Sequence, residues 1–314
     1  MLRHTLLIDL LLAIASAIPS DSFLLTTSRT ACYFPFNMAT QFDSLGCARS
    51  AQGMAGSTPL GESPLAIPKV DEGYDLNGIL TIKNMESKCL WVVCHGLCSS
   101  SLGSVPRFVS DMLEANTFRF DFSGCGKSGG DWKYAGYNRE LGDLRIVVLR
   151  LRELGWNVGS VLGHSKGAAA VLRYGEVFDD VPLVVNVAGR FHTSATPRSR
   201  FSEEQWKQLE ETGSFMWNVK GEDLPVTKED FEERAGLDMK KTAESIKKTK
   251  VLTIHGEEDE TIPVADAHEF DRHVAHHELV IVEGAGHSFL RHPERVAVIE
   301  ALGRYLDVGS MEAR

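Results

Sequence analysis
From residue 66 onward, short β-branched or apolar runs alternate with longer stretches whose apolar positions recur at helical spacing. Runs at 79–82, 90–94, 118–122, 158–162, 183–187, 251–254 and 279–282 predict strands. Several are apolar throughout, as strands buried on both faces are. Between them Leu141, Leu144, Val147, Val148, Leu151 and Leu154 fall on one helical face, and Gly155 behind them suits a C-terminal cap. Val296, Ile299, Leu302 and Leu306 repeat that spacing near the end of the chain. Strands and helices in alternation predict an α/β fold with a mostly parallel central sheet and helices on both faces.

The rhythm breaks between His192 and Lys250, where no strand-like run occurs and polar segments have helical character. Ser202 and Thr227 each precede a run that reads as a capped helix start. A structureless loop of that length is uncommon inside a compact domain, so residues 192–250 are expected to form an inserted helical lid. The opening of the chain differs again. Arg3 and His4 precede an apolar run ending Ala15-Ser16-Ala17, a signal-like region interrupted by Asp9 and too short to span a bilayer. Residues 20–64 are rich in Ser, Thr, Ala and Gly, which suits a transit peptide or a flexible extension. The expected division is a targeting leader or disordered extension over 1–65 and one folded domain over 66–314. Such a leader leaves an organelle, the secretory route and the cytoplasm open as destinations.

Composition then narrows the partners. The 314 residues carry 33 Lys and Arg against 43 Asp and Glu, a formal net charge of −10, which disfavours nucleic acid. No stable membrane span is expected. The six cysteines are Cys32, Cys47, Cys89, Cys94, Cys98 and Cys125; in a chain of this size, reduced and partly buried thiols are favoured over a disulfide framework.

Gly124-Cys125-Gly126-Lys127-Ser128-Gly129 has the outline of a dinucleotide turn, with Asp143 about 20 residues on. The context fails it, because such a turn opens directly into a helix and residues 130–136 intervene. The tail of that run also hints at a phosphate loop, but Asp121 stands where its first glycine belongs. His268, His273, His276 and His277 resemble a metal cluster without a closed ligand set, so neither a metal nor an organic cofactor is expected.

G-x-S-x-G occurs twice, around Ser128 and around Ser165, and the flanking residues separate the two. A nucleophile elbow needs a strand, a tight turn of small residues and a helix directly after it. Ser165 has all three in Val158 to Leu162, the glycines at 163 and 167, and Ala168 to Leu172; Ser128 has no helix behind it.

With Ser165 in place, the chain from about Lys69 onward resembles the α/β-hydrolase superfamily, and is most similar to its serine aminopeptidase and monoacylglycerol-lipase-like group, which includes plant and microbial esterase-like members. Four blocks carry the resemblance in the family's order: Val92 to Leu97 with His95-Gly96, Phe120 to Ser128, Gly163 to Gly167, and the pair Ile254 to Pro263 and Gly284 to His287. The resemblance implies Ser165 as nucleophile, Asp259 and His287 as its acid and base, and the backbone N–H groups of Leu97 and Lys166 as an oxyanion hole. The Lys166 ammonium is expected to pack or to pair outward. Asp259 is favoured over Glu257, Glu258 and Glu260 by its spacing to Thr261-Ile262-Pro263. His95, His255 and His164 are expected to be structural. Trp206, Phe215, Met216 and Trp217 could equally line an acyl pocket or pack the lid on the core.

The function expected is a serine hydrolase acting on a small-molecule acyl substrate, an ester, thioester or amide, through an acyl-enzyme. Carboxylesterase or lipase-like action leads, with peptidase activity open. Acyl transfer with the same triad and a ligand receptor on the same fold are the alternatives.

Overall fold
The computed structural model describes residues 60–194 and 196–306. Of the leader expected over residues 1–65, residues 1–59, with Cys32 and Cys47, lie outside them. Their centre is an eight-stranded sheet in the order β1-β2-β4-β3-β5-β6-β9-β10. The strands are β1 (Gly61–Lys69), β2 (Tyr74–Ile82), β3 (Cys89–Cys94), β4 (Asn116–Phe120), β5 (Asn157–His164), β6 (Leu183–Val187), β9 (Lys250–Gly256) and β10 (His277–Val282). Pairs β1·β2 and β2·β4 are antiparallel, and every other pair is parallel.

Eight α-helices accompany the strands among the described residues: α1 (Ser104–Met112), α2 (Tyr137–Glu153), α3 (Lys166–Val177), α4 (Glu203–Thr212), α5 (Lys228–Gly236), α6 (Met239–Ser245), α7 (Ala265–His273) and α8 (His292–Gly303). None is long and apolar enough to cross a membrane. The sheet separates two apolar cores because successive strand residues point to opposite faces. On β3, Leu90, Val92 and Cys94 enter one core with Leu144 and Val148 of α2 and Ala170 of α3. Trp91 and Val93 enter the other with Phe108 of α1 and Leu302 of α8. Burial on both faces is why β3, β5 and β6 read as continuous apolar runs. Helix α2 ends as expected, with Gly155 just past it at φ 87°.

Two expectations need correction. Strand β1 starts at Gly61, inside the stretch assigned to the leader, and pairs with β2 over its whole length. It carries Pro64 and Pro68 and its residues alternate between exposed and buried, the signature of a strand at a sheet edge, where a missing N–H is tolerated. The segment between β6 and β9 is not wholly helical either. It holds the hairpin β7 (Ser214–Val219) and β8 (Glu222–Thr227). Lys220 and Gly221 form its two-residue turn, both at positive φ, the geometry that matches strand twist. The apolar positions alternate, with Phe215 opposite Val226 and Trp217 opposite Leu224, but short runs broken by Pro225 mask the period. The capped starts are as expected: Ser202 caps α4 and Thr227 caps α5, each in a reciprocal capping box.

Candidate active site
Strand β5 runs to His164 and α3 begins at Lys166, so Ser165 alone makes the turn, at φ 57° and ψ −115°. A serine stays in that sparsely populated region only when its surroundings over-determine it. Here they do. A Cβ on Gly163 would collide with the Gly167 carbonyl, one on Gly167 would collide with the His95 carbonyl, and one on Gly96 would lie 3.0 Å from Ser165 Cβ. The Ser165 N–H is anchored on the Val187 carbonyl at 2.8 Å.

The loops after β9 and β10 bring two further groups to the serine. His287 Nε2 lies 3.0 Å from Ser165 Oγ, and its Nδ1 lies 2.7 Å from Asp259 Oδ2. The other Asp259 oxygen accepts the N–H groups of Thr261 and Ile262, each at 2.8 Å. Burial by itself would raise the Asp259 pKa. Hydrogen bonds from His255 and His287 outweigh it and hold the carboxyl well below the usual range. An ionised Asp259 accepts the Nδ1–H, which leaves Nε2 free to accept the serine hydroxyl.

Three other histidines brace this geometry. His164 Nε2–H donates to the His287 carbonyl at 2.9 Å, tying the elbow to the histidine loop. His95 Nδ1–H donates to the Gly96 carbonyl at 2.8 Å while its Nε2 accepts the Phe122 N–H at 3.1 Å. His255 Nε2 bonds the Ile262 carbonyl at 2.9 Å and lies 3.3 Å from Asp259 Oδ2. Burial pushes His95 down to about 4 and His164 down to about 3. Both rings are neutral at ordinary pH, and His164 holds its neighbour in place through the backbone.

A cavity of about 200 Å³ opens beside Ser165 and His287, and Leu97, Lys166, Tyr134, Tyr137, Trp217 and Ile262 are among the residues that line it. The Lys166 N–H sits in the first turn of α3, where a helix offers no acceptor. Its ammonium does not pair outward: it is buried against Glu140 of α2 at 2.5 Å. Burial alone would lower the Lys166 pKa, and the Glu140 carboxylate reverses that. An interior ion pair was not foreseen because Glu140 and Lys166 lie on different helices, with no fixed spacing between them. The aromatics of the β6–β9 segment divide. Trp217 lines the cavity, Phe215 is buried with Tyr134, Phe201 and Val226, Trp206 packs against that cluster, and Met216 is exposed. Arg190, Arg200 and Arg234 also line the cavity and had no distinguishing sign in the sequence.

The glycine-rich decoy is spent on the chain itself. Asp121 accepts the N–H groups of Ser101 at 2.5 Å and Lys127 at 2.8 Å, and Ser128 Oγ donates to the Asp121 carbonyl at 2.6 Å. Asp143 accepts from the Ser123 N–H at 2.9 Å and from Lys69 Nζ at 2.8 Å. Cys94, Cys98 and Cys125 are free thiols, and burial pushes Cys125 up to about 12. Among the described residues no group of three or more His, Cys, Asp or Glu could hold a metal ion. His277 instead bonds Asp271 and Thr253, each at 2.8 Å.

Comparison with solved structures returns the same architecture. Est1E from Butyrivibrio proteoclasticus with ferulic acid bound superposes with a TM-score of 0.64 at 19% identity, over 77% of this chain and 97% of that one. The Pyrococcus furiosus esterase Pf2001 gives 0.59 at 18%, over 91% and 100%. Alpha/beta hydrolase domain-containing protein 10 from mouse gives 0.61 at 16%, over 78% and 98%. At such identities the likeness is one of fold. No curated protein sequence matches the chain. A family model is more specific: the one for the alpha/beta hydrolase family matches residues 91–299, from β3 through the elbow and the acid and histidine loops into α8. The chain belongs to the alpha/beta hydrolase family.

Proposed function
We propose that this hydrolase is a serine esterase acting through an acyl-enzyme. The observation that carries the reading is the unbroken line of hydrogen bonds from Asp259 Oδ2 through His287 to Ser165 Oγ, ending at the mouth of a cavity. Ser165 attacks the acyl carbon while His287 Nε2 takes its proton, and the imidazolium so formed is stabilised by Asp259. The N–H groups of Leu97 and Lys166 receive the carbonyl oxygen as it gains charge. His287 then protonates the leaving group, and water deprotonated by the same nitrogen releases the acid. The segment 192–250 serves as the lid, since Pro197, Arg200, Trp217 and Arg234 reach the cavity that holds Ser165.

A fluorophosphonate probe tests the mechanism without knowledge of the substrate. Wild-type chain is expected to label stoichiometrically on Ser165, and Ser165→Ala not at all; an unlabelled wild type rejects the mechanism. A panel of p-nitrophenyl esters of graded length then reports acyl preference. The volume of about 200 Å³ predicts falling kcat/KM beyond short and medium chains.

A further inference from the structure
The cavity beside Ser165 is cationic in a chain whose formal net charge is −10. Lys166, Arg190, Arg200 and Arg234 line it, and among the described residues no Asp or Glu does. Lys166 is already neutralised by Glu140. The three arginines form no ion pair: among the described residues none has a carboxylate oxygen within 4.0 Å, and Asp266 acts on Arg190 only from farther off.

Arg234 is the most telling of them. It is 8% exposed, yet its partners are all uncharged: the Tyr137 hydroxyl at 2.7 Å, the Thr193 carbonyl at 3.1 Å and the face of the Tyr134 ring. Its Nε has no hydrogen-bond partner among the described residues. Taking a guanidinium out of water without a counter-ion is unfavourable, and the loss is recovered only when an anion arrives. Arg190 donates to the Thr261 carbonyl at 2.7 Å, which leaves most of its five donors unspent beside the acid loop. The nearby carboxylate of Asp266 is occupied by the Phe191 N–H at 2.8 Å and the His192 N–H at 3.4 Å. Burial lowers the Arg190 pKa, the Asp266 carboxylate offsets part of that, and the charges of Arg234 and Arg200 add to the lowering, so three like charges still face one space.

We propose that the natural substrate carries a carboxylate near its scissile acyl bond, held by Arg190, Arg200 and Arg234 while Ser165 reacts. Planar guanidinium forks match a carboxylate with paired N–H donors, which a neutral chain end cannot use. The proposal rests on the serine esterase reading for its chemistry: water adds its hydroxyl to the acyl carbon and its proton to the leaving oxygen. The anion site itself does not depend on turnover.

Two measurements keep the proposal and that reading apart. In the first, Ser165→Ala chain is titrated calorimetrically with glutarate, with uncharged glutaramide and with inorganic phosphate. Glutarate is expected to bind about 10- to 100-fold more tightly than glutaramide, the range of a charged hydrogen bond. The difference is expected to shrink when Arg234→Met or Arg200→Gln is added. Arg200 has no side-chain hydrogen bond or ion pair among the described residues, so its variant keeps the test open if Arg234→Met does not fold. Equal binding of glutarate and glutaramide overturns the proposal even where fluorophosphonate labels Ser165. Phosphate bound more tightly than glutarate overturns the carboxylate assignment. In the second measurement, kcat/KM is compared for the p-nitrophenyl monoester of glutarate against p-nitrophenyl valerate, and for 4-acetoxybenzoate against p-tolyl acetate. A preference for the charged member of either pair supports the proposal and tells which side of the bond carries the anion. That preference is expected to fall in Arg200→Gln and with added salt. Turnover of all four esters with no preference in either pair overturns it while leaving the esterase reading intact.

Discussion
Ser165→Ala and His287→Ala are each expected to lower kcat by about 10⁶-fold, and the double variant by little more, because groups that act as one unit lose their effect together. Asp259→Asn is expected to lose about 10⁴-fold, and the hydrogen bonds show how. The Oδ1 position accepts two N–H groups, from Thr261 and Ile262, so an asparagine places its carbonyl oxygen there. Its NH₂ then faces His287 Nδ1, where a donor meets a donor. The imidazole escapes by moving its proton to Nε2, and Nε2 can then no longer accept from Ser165 Oγ. The loss should fall on kcat with KM little changed, read by initial rates on a p-nitrophenyl ester. An Asp259→Asn chain with near wild-type kcat rejects the assignment of the acid.

The second large effect is on stability in acid. His95 and His164 titrate at about 4 and about 3 in the fold, against about 6.5 in an unfolded chain. Between those values only the unfolded state takes up the protons, so folding stability is complete above about pH 6.5 and declines as pH falls. Two such groups give a slope of up to about 3 kcal/mol per pH unit, or a loss of about 5 kcal/mol between pH 6 and 4. That is a large part of the roughly 5–15 kcal/mol typical of a folded protein. Asp259 is held low and acts in the same sense, but only below about pH 4. Urea midpoints measured from pH 7 to pH 4 check this. His164→Gln, which has no imidazole to titrate, should flatten the slope by about half; a midpoint constant with pH contradicts the expectation.

What could be read in the sequence follows local rules. The strands of the sheet centre were legible because burial on both faces writes an apolar run. The strained turn at Ser165 was legible because it leaves its constraints in adjacent residues, the glycines at 163 and 167. The glutamates beside Asp259 left its choice to spacing, and in the structure Glu257 is instead engaged with the Gly284 N–H at 3.1 Å. Edge strand β1 was hidden because half its residues face solvent and two are proline. The Lys166–Glu140 pair and the convergence of Arg190, Arg200 and Arg234 were hidden for a different reason. They join residues from the end of β6, the segment after it, α2, α3 and α5, and a single arginine in a polar helix reads as a solvated one. Contacts between elements distant along the chain leave no periodicity to find.

The neighbours β6 and β9 give the fold a hinge point of another sort, for growth. The chain leaves the sheet after Val187 and returns at Lys250 on the adjacent strand, with Leu183 opposite Lys250 and Val187 opposite Ile254. Because the exit and re-entry points are held together by the sheet, doubling the length of the excursion costs only about 0.6 kcal/mol in closure entropy. That is less than the roughly 0.8 kcal/mol of one buried methylene. The closure term therefore puts little limit on the length of the stretch; what limits its content is the part that packs into the core, such as Met239 and Ala243 of α6 and Ile246 just after it. Arg200, Trp217 and Arg234 lie on this excursion, so under the proposed function the residues facing the acyl substrate belong to the part of the chain whose length the sheet least constrains.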